Sequence, residues 1–379
     1  MKEPQEYERR ILLAVTGLSP QVLTETLYAL TVQQENPFVP TEIHLVTTRE
    51  GADRARLMLL DPHEGRFYQF IEEYGIKGER INFNADSIHV VVGPGGEPLR
   101  DINTESDNIS VANHIVRLVR SLTSDPEAAV HASIAGGRKT MGFYLGYALS
   151  LYGRPQDRLS HVLVNSPFES DYQFYYPPAK PQRMIIREQP VHTSDARIML
   201  ADIPFVRMRE GLPESLRKGE AEFRETVVRI QKAFEAPSLV IDLAEKVVVA
   251  SEERIELPDT QLAFYAWLAL RRQNEKPEVR WGEGRELVEE YLEIYDFVCG
   301  AFSARVISQE EKFKEGFPKG WFEQTRSKVN RSLKEALGEL LAQRYLIQSI
   351  GERRHTRYGL DLPPSAIEVR SSTGAKPWR

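Results

Sequence analysis

Residues 11–15, Ile-Leu-Leu-Ala-Val, run straight into residues 16–20, Thr-Gly-Leu-Ser-Pro. Five consecutive apolar residues without alternation describe a strand buried on both faces, and the polar stretch after them, with its glycine and proline, describes a tight turn. Val22, Leu23, Leu27, Leu30 and Thr31 then recur at helical spacing, so residues 21–34 complete a strand-turn-helix unit. The unit repeats. Residues 42–46 form a second apolar run, Thr47 to Gly51 a second turn, and residues 52–60 a second helical stretch. Residues 87–92 read as a third strand and 106–122 as a helix. Residues 129–134 read as a fourth strand, stopped by Ala135-Gly136-Gly137-Arg138-Lys139 before a helix over 140–152, and 159–164 as a fifth strand. Apolar strands alternating with helices predict an α/β protein with a mainly parallel, doubly wound sheet.

Beyond this repeat the pattern changes. Residues 167–190 are rich in proline and aromatics and predict an extended arm or hairpin, with Tyr175-Tyr176 as a packed edge. Asp202 to Arg207 closes the region, a charged helix is predicted over 216–234, and the domain boundary is placed at 212. Residues 213–379 read as mainly helical, with helices over 259–273, 284–299 and 322–343. A strand over 345–349, a basic turn over 351–355 and a strand over 357–362 follow, an order resembling a winged helix. The span from Arg326 to Arg357 holds Arg326, Lys328, Arg331, Lys334, Arg344, Arg353, Arg354 and Arg357 against three acids, a local net charge of +5. It is the candidate DNA-binding face, with Arg326, Lys328, Arg331 and Lys334 toward phosphates and the last three arginines in the wing. A dimerising or packing role for the same domain is the competing expectation.

Composition narrows the function. The 379 residues carry 49 Lys plus Arg and 55 Asp plus Glu, a net charge of −6, which argues against coating nucleic acid or anionic membrane through the overall field. Residues 215–379 are balanced at 27 of each sign, so the acidic excess lies in residues 1–214. The single cysteine, Cys299, excludes an intrachain disulfide framework or a thiolate zinc cluster and makes the cytoplasm the expected compartment. No run is long enough to predict a membrane span, and neither metal nor cofactor is expected.

In an open parallel sheet, ligands bind outside the carboxyl ends of the strands, where turns and helix N-termini present backbone N–H groups. Three turns occupy that position here. Thr16 to Gln21 offers the hydroxyls of Thr16 and Ser19 beside Gly17. Thr47 to Gly51 adds Thr47 and Arg49. The third, Ala135 to Thr140, combines two glycines, Arg138, Lys139 and a hydroxyl at a helix start, a set suited to a phosphodiester. Its spacing fits neither a Walker loop nor the dinucleotide fingerprint, which implies another phosphate-containing ligand. A plain helix cap by Ser19 and a solvated Gly-Gly-Arg-Lys turn are the competing readings.

These stretches, with Leu99 to Asn108 and residues 202–209, resemble the CRISPR-associated Rossmann-fold (CARF) family over about residues 8–210, and within it the ring nucleases of type III CRISPR systems. The resemblance implies a homodimer with a cyclic oligoadenylate, tetra-adenylate favoured, lying across its two-fold axis. It implies ligand contacts from Gly17, Leu18, Gln21, Thr47, Arg49, Ala135, Gly136, Gly137 and Thr140, and catalysis by Ser19, Lys139, Arg138 and Thr16. The chemistry would be metal-independent attack by the ligand's own 2′-hydroxyl, with no general base evident in the turns. The alternative is a CARF sensor whose winged helix binds duplex DNA without cleaving the ring. Arg-His spacings at Arg56/His63, Arg154/His161 and Arg187/His192 match a loose ribonuclease pattern, but all lie outside the helical half and are read as chance.

Overall fold

Strands that are apolar on both faces need cover on both faces, and the intervening helices supply it. The computed structural model describes residues 2–76, 81–219, 221–300, 303–351 and 356–371. Strands β1 (Arg9–Val15), β2 (Glu42–Thr47), β3 (Ile88–Val90), β4 (Ala128–Ser133) and β5 (Arg158–Val164) alternate with helices α1 (Gln21–Thr31), α2 (Arg49–Leu59), α3 (Arg66–Glu73), α4 (Glu105–Leu122) and α5 (Lys139–Tyr152). A hairpin of β6 (Arg183–Ile186) and β7 (Gln189–His192) follows, then β8 (Ile198–Asp202). The sheet order is β3-β2-β1-β4-β5-β8, parallel except for β8, which pairs antiparallel with β5. The order reverses between β1 and β4, and that is the switch point at which such sheets open a crevice.

The central strand explains the arrangement. Ile11 to Val15 are each at most 1% exposed, and Leu12 lies between Ile43 of β2 and His131 of β4. Burying each large aliphatic side chain contributes about 1.5–3 kcal/mol, so this strand cannot be moved from the centre without losing most of the core. At the opposite end of the sheet from the turns, Asp157 is fully buried. Its carboxylate accepts from the backbone N–H of Val130 and Arg154 and from the Arg154 guanidinium, while Arg207 donates to the carbonyls of Arg154 and Asp157. The stretch from Asp202 to Arg207 is therefore a clamp on the strand starts. Tyr175 and Tyr176 are buried against Arg66 and Phe70, as a packed edge requires.

The remaining chain forms a second unit. The single helix expected over 216–234 is two helices, α6 (Glu214–Lys218) and α7 (Phe223–Gln231), because α6 ends at Gly219. Next come β9 (Leu239–Asp242), β10 (Val247–Ala250) and β11 (Glu253–Glu256), which sequence reading missed. Helices α8 (Asp259–Gln273), α9 (Arg285–Cys299), α10 (Ala304–Lys312) and α11 (Lys319–Ala342) lead into the hairpin β12 (Ile347–Ile350) and β13 (Arg357–Leu360) and the last strand β14 (Ile367–Arg370). Val279, between α8 and α9, exchanges both backbone hydrogen bonds with Tyr358 of β13, at 3.0 and 2.7 Å. Helices enclosing such a bridge and a terminal hairpin give a winged-helix-like arrangement, to which the sheet β11-β10-β9-β14 is added. Phe264, Trp267, Tyr291, Phe317, Trp321 and Phe322 pack as one aromatic core.

The chain divides into a unit of residues 1–209 and 220–224 and a unit of residues 210–219 and 225–379. The expected boundary at 212 falls within the first crossing segment. No helix among the described residues is long and apolar enough to span a membrane.

Candidate functional site

The turns after β1 and β4 sit side by side because glycine lets their backbones touch. A Cβ on Gly136 would lie 2.9 Å from the Val15 carbonyl and 3.1 Å from Thr16 Cα. Gly137 has φ +80° and its Cα lies 3.4 Å from where a Gly17 Cβ would be. No larger residue keeps this approach without moving main chain. The N-termini of α1 and α5 open directly beside the paired turns, and the first backbone N–H groups of each helix have no intrahelical acceptor.

Within the β1 turn the two hydroxyls differ. Thr16 is fully buried and its Oγ1 donates to the Ser19 carbonyl at 3.0 Å, so Thr16 braces the turn and is not a ligand group. Ser19 is exposed, and its hydroxyl has no partner among the described residues. Nor does Ser19 cap α1. That position is held by Pro20, with no side-chain cap, so the plain capping explanation for Ser19 fails. Leu18 is half exposed, and its carbonyl accepts from Arg54 of α2 at 2.8 Å, a contact that sequence reading missed.

The β4 turn also divides its charges. Lys139 and Thr140 are exposed on the first turn of α5, and neither side chain has a hydrogen-bond or ion-pair partner among the described residues. Arg138 is held by Asp101, through Nε at 3.0 Å and through Nη2. The guanidinium and the Ile102 N–H together keep the Asp101 carboxyl below its usual range. Arg138 is thus a half-neutralised cation rather than the free one expected, with Nη1 left to donate. Thr47, expected at the ligand, is fully buried with Oγ1 unpartnered. Arg49 opens α2 exposed, and its N–H donates to the Leu99 carbonyl at 2.7 Å. The segment Leu99–Asp101 therefore links the β2 turn to the β4 turn and brings Arg100 to the same end of the sheet, another exposed cation that sequence reading missed.

Beneath the turns lies a cleft of about 390 Å³, reached by Ser19, Gln21, Gly136 and Gly137, with Ala135 in its wall. It also holds four titratable groups that the turns gave no hint of: Glu25 on α1, His161 on β5, and Glu169 and Asp171 in the stretch after β5. Burial pushes the Glu25 carboxyl up to about 7. The signal in the sequence was an acid four residues after Gln21, hence on the same helix face as the opening of the turn. Among the described residues no group of three or more His, Cys, Asp or Glu side chains is arranged to hold a metal ion. Of the Arg-His pairs, Arg154 is bound to Asp157, Arg56 to Asp53, and His192 to Ser194.

The cationic face of the second unit is largely consumed by its own chain. Arg326 donates to Ser349 Oγ and stacks on the Tyr358 ring, Arg331 faces Glu335, Lys334 pairs with Glu339, and Arg357 pairs with Glu283. Arg344 donates to the Glu235 carbonyl. Of the described cations in that span, Lys328 alone has no partner. Arg353 and Arg354, expected in the wing, lie outside the described residues.

A doubly wound sheet with paired glycine turns and a polar cleft at its switch point places the first unit among open-sheet α/β folds. The chain belongs to the family described as CRISPR-associated protein NE0113 (Cas_NE0113), whose model matches residues 19–235, more than half of its length. No curated relative matches the chain.

Proposed function

We propose that this CRISPR-associated protein is a ring nuclease of the CARF type: a homodimer that binds cyclic oligoadenylate across its two-fold axis and opens it, lowering an antiviral signal. The observation that carries the reading is the juxtaposition of the β1 and β4 turns, which brings the turn that bears the exposed Ser19 hydroxyl against the turn that leads into the exposed Lys139, with the N-termini of α1 and α5 beside them. Those are the groups a phosphodiester needs: hydrogen-bond donors that fix it and a charge that answers the charge growing on its oxygens.

In the reaction the ligand's 2′-oxygen attacks the neighbouring phosphorus, the P–O5′ bond breaks, and a 2′,3′-cyclic phosphate and a 5′-hydroxyl result. Lys139 stabilises the phosphoryl oxygens, Arg138 assists through its free Nη1, Ser19 orients the phosphate or ribose, and Arg49 holds an adjacent phosphate. Positioning and electrostatics would carry most of the rate, which suits slow removal of a signal. The test is incubation of purified protein with labelled cyclic tetra- and hexa-adenylate, with and without EDTA, and chromatography of the products. Intact rings at excess enzyme reject cleavage and leave a sensor; a requirement for metal rejects the mechanism alone.

The second reading, a sensor that regulates transcription, draws on the winged-helix-like arrangement with its Val279–Tyr358 bridge. The pairing of Arg326, Arg331, Lys334 and Arg357 within the chain weighs modestly against it, since each such surface pair must be given up, at about 0–1 kcal/mol, before its cation meets a phosphate. Binding to duplex DNA, with its slope against salt, separates the two.

A further inference from the structure

The cleft beneath the turns carries chemistry that phosphate binding does not use. Glu25 is 8% exposed, faces the cleft, and makes no hydrogen bond or ion pair among the described residues. Buried polar groups are almost always paired, so an unpaired carboxyl in a cleft wall marks a place where a partner arrives from outside the chain. Two further atoms repeat the pattern. Gln21 Oε1, one helical turn before Glu25, and His161 Nδ1 on β5 are both buried without partners, and both residues line the same cleft. No lysine or arginine lines it, so it is not a second phosphate site. Its lining also includes the apolar side chains of Val22, Val162 and the part-exposed Leu18 and Leu163, surfaces on which a ring can pack. Its volume falls within the range of roughly 300–1,000 Å³ of small-molecule sites.

We infer that this cleft is a nucleobase pocket that takes the amino edge of an adenine, with Glu25 pairing with the ring nitrogen and amino group and Gln21 Oε1 accepting from the amino group. The inference rests on the proposed ligand in one respect, that its phosphates lie on the adjoining turns. The complementarity follows from protonation. With the carboxyl pushed up to about 7 by burial, its neutral form is well populated at neutral pH and offers one donor and one acceptor, as an adenine edge requires. A carboxylate offers acceptors alone and would suit a guanine edge instead. The other titratable groups facing the cleft are His161 on β5 and Glu169 and Asp171 in the loop after it. Carboxyl oxygens can accept and an imidazole nitrogen can donate or accept, so these groups fit a ligand that carries donors without choosing between nucleobases.

The test uses the full chain and three nucleosides without phosphate: adenosine, purine riboside, which lacks only the amino group, and guanosine, followed by ligand-observed NMR. Adenosine should bind about tenfold more tightly than purine riboside, as expected for hydrogen bonds to an otherwise unpaired buried group, and guanosine more weakly than adenosine. Glu25→Leu should erase the preference for adenosine. Glu25→Gln, whose amide keeps one donor and one acceptor, should preserve it. Should the leucine variant fail to fold, the pH profile decides: the preference should decline above pH 7 in the wild type and stay flat in Glu25→Gln. Equal binding of adenosine and purine riboside, a preference for guanosine, or an adenosine preference that survives Glu25→Leu would each overturn the pocket. Because nucleosides carry no phosphate, a protein that leaves rings intact can still pass this test. A protein that cleaves rings can likewise fail it.

Discussion

The turns of the first unit and the cationic face of the second make opposite use of charge. Residues 1–214 are acidic overall, yet their switch point leaves the side chains of Ser19, Lys139, Arg49 and Arg100 without partners among the described residues at one end of the sheet. The span Arg326–Arg357 has a net charge of +5, yet its chain binds Arg326, Arg331, Lys334, Arg344 and Arg357 to its own acceptors or rings. What a surface can offer a polyanion is set by the groups the fold leaves uncommitted rather than by their sum. Counting charges pointed toward the second unit, and geometry points to the first.

The sharpest way to break this comparison is to remove the free charge. Lys139→Ala should lower single-turnover cleavage of cyclic tetra-adenylate by about 10²- to 10³-fold, the usual loss for one transition-state donor, and Ser19→Ala should lower it by a similar or smaller factor. Full activity in both variants would move the site elsewhere. Next in size is the linkage of Glu25 to stability. Its folded pKa is raised from 4.5 to about 7, so the folded state binds the extra proton and stability falls as pH rises between those values, by about 3 kcal/mol in total above pH 7. Glu25→Gln should therefore match the wild type near pH 4 and gain on it up to pH 8 in denaturant melts; equal gains at both ends would contradict a buried, unpaired carboxyl. Gly136→Ala places a Cβ 2.9 Å from the Val15 carbonyl, and should cost about 1–3 kcal/mol of stability with weakened ring binding, read from melts and titration. Freeing a cation should sharpen the contrast. Asp101→Asn releases Arg138, so ring affinity should rise a few-fold with a steeper salt dependence, and an unchanged salt slope would show that Arg138 meets no phosphate. The smallest effect is expected on the other face. Lys328→Glu should leave duplex DNA binding where it was, near the non-specific level; a large loss in a filter-binding assay would restore the regulator reading.

Much of the first unit was legible because β1 carries an unbroken apolar run and β2, β4 and β5 are largely apolar, interrupted by His44, His131 and Ser160–His161, with turns attached. Helix α8 was read with its true bounds, 259–273. What escaped lacked those signals. The strand β8 alternates at an edge, and α3 is eight residues long. The hairpin of β10 and β11 turns on Ser251 and Glu252, both with positive φ, where a glycine or asparagine would have marked the turn. At the site, the glycine turns and the exposed Ser19 and Lys139 were readable from their order. Burial was not, and burial is what makes Thr16 a brace of its turn, encloses Thr47 and turns Glu25 into a group poised near neutrality. The pairing of Arg138 with Asp101, 37 residues away, is likewise a fact of three dimensions.

The course of the chain between the units has its own consequence. Residues 210–219 belong to the second unit, where the Pro213 N and Gly211 O approach Gly338 of α11, and residues 220–224 return to the first, where Phe223 packs on Tyr144 and Tyr147 and its N–H meets Asn113. The polypeptide thus crosses from one unit to the other three times. A stop codon or a protease cut at 212 strips Phe223 from the first unit, and a start at 225 strips α6 from the second. For anyone dissecting the protein, neither half is a contiguous gene fragment; each has to be rebuilt by grafting the borrowed segment back, or studied within the whole.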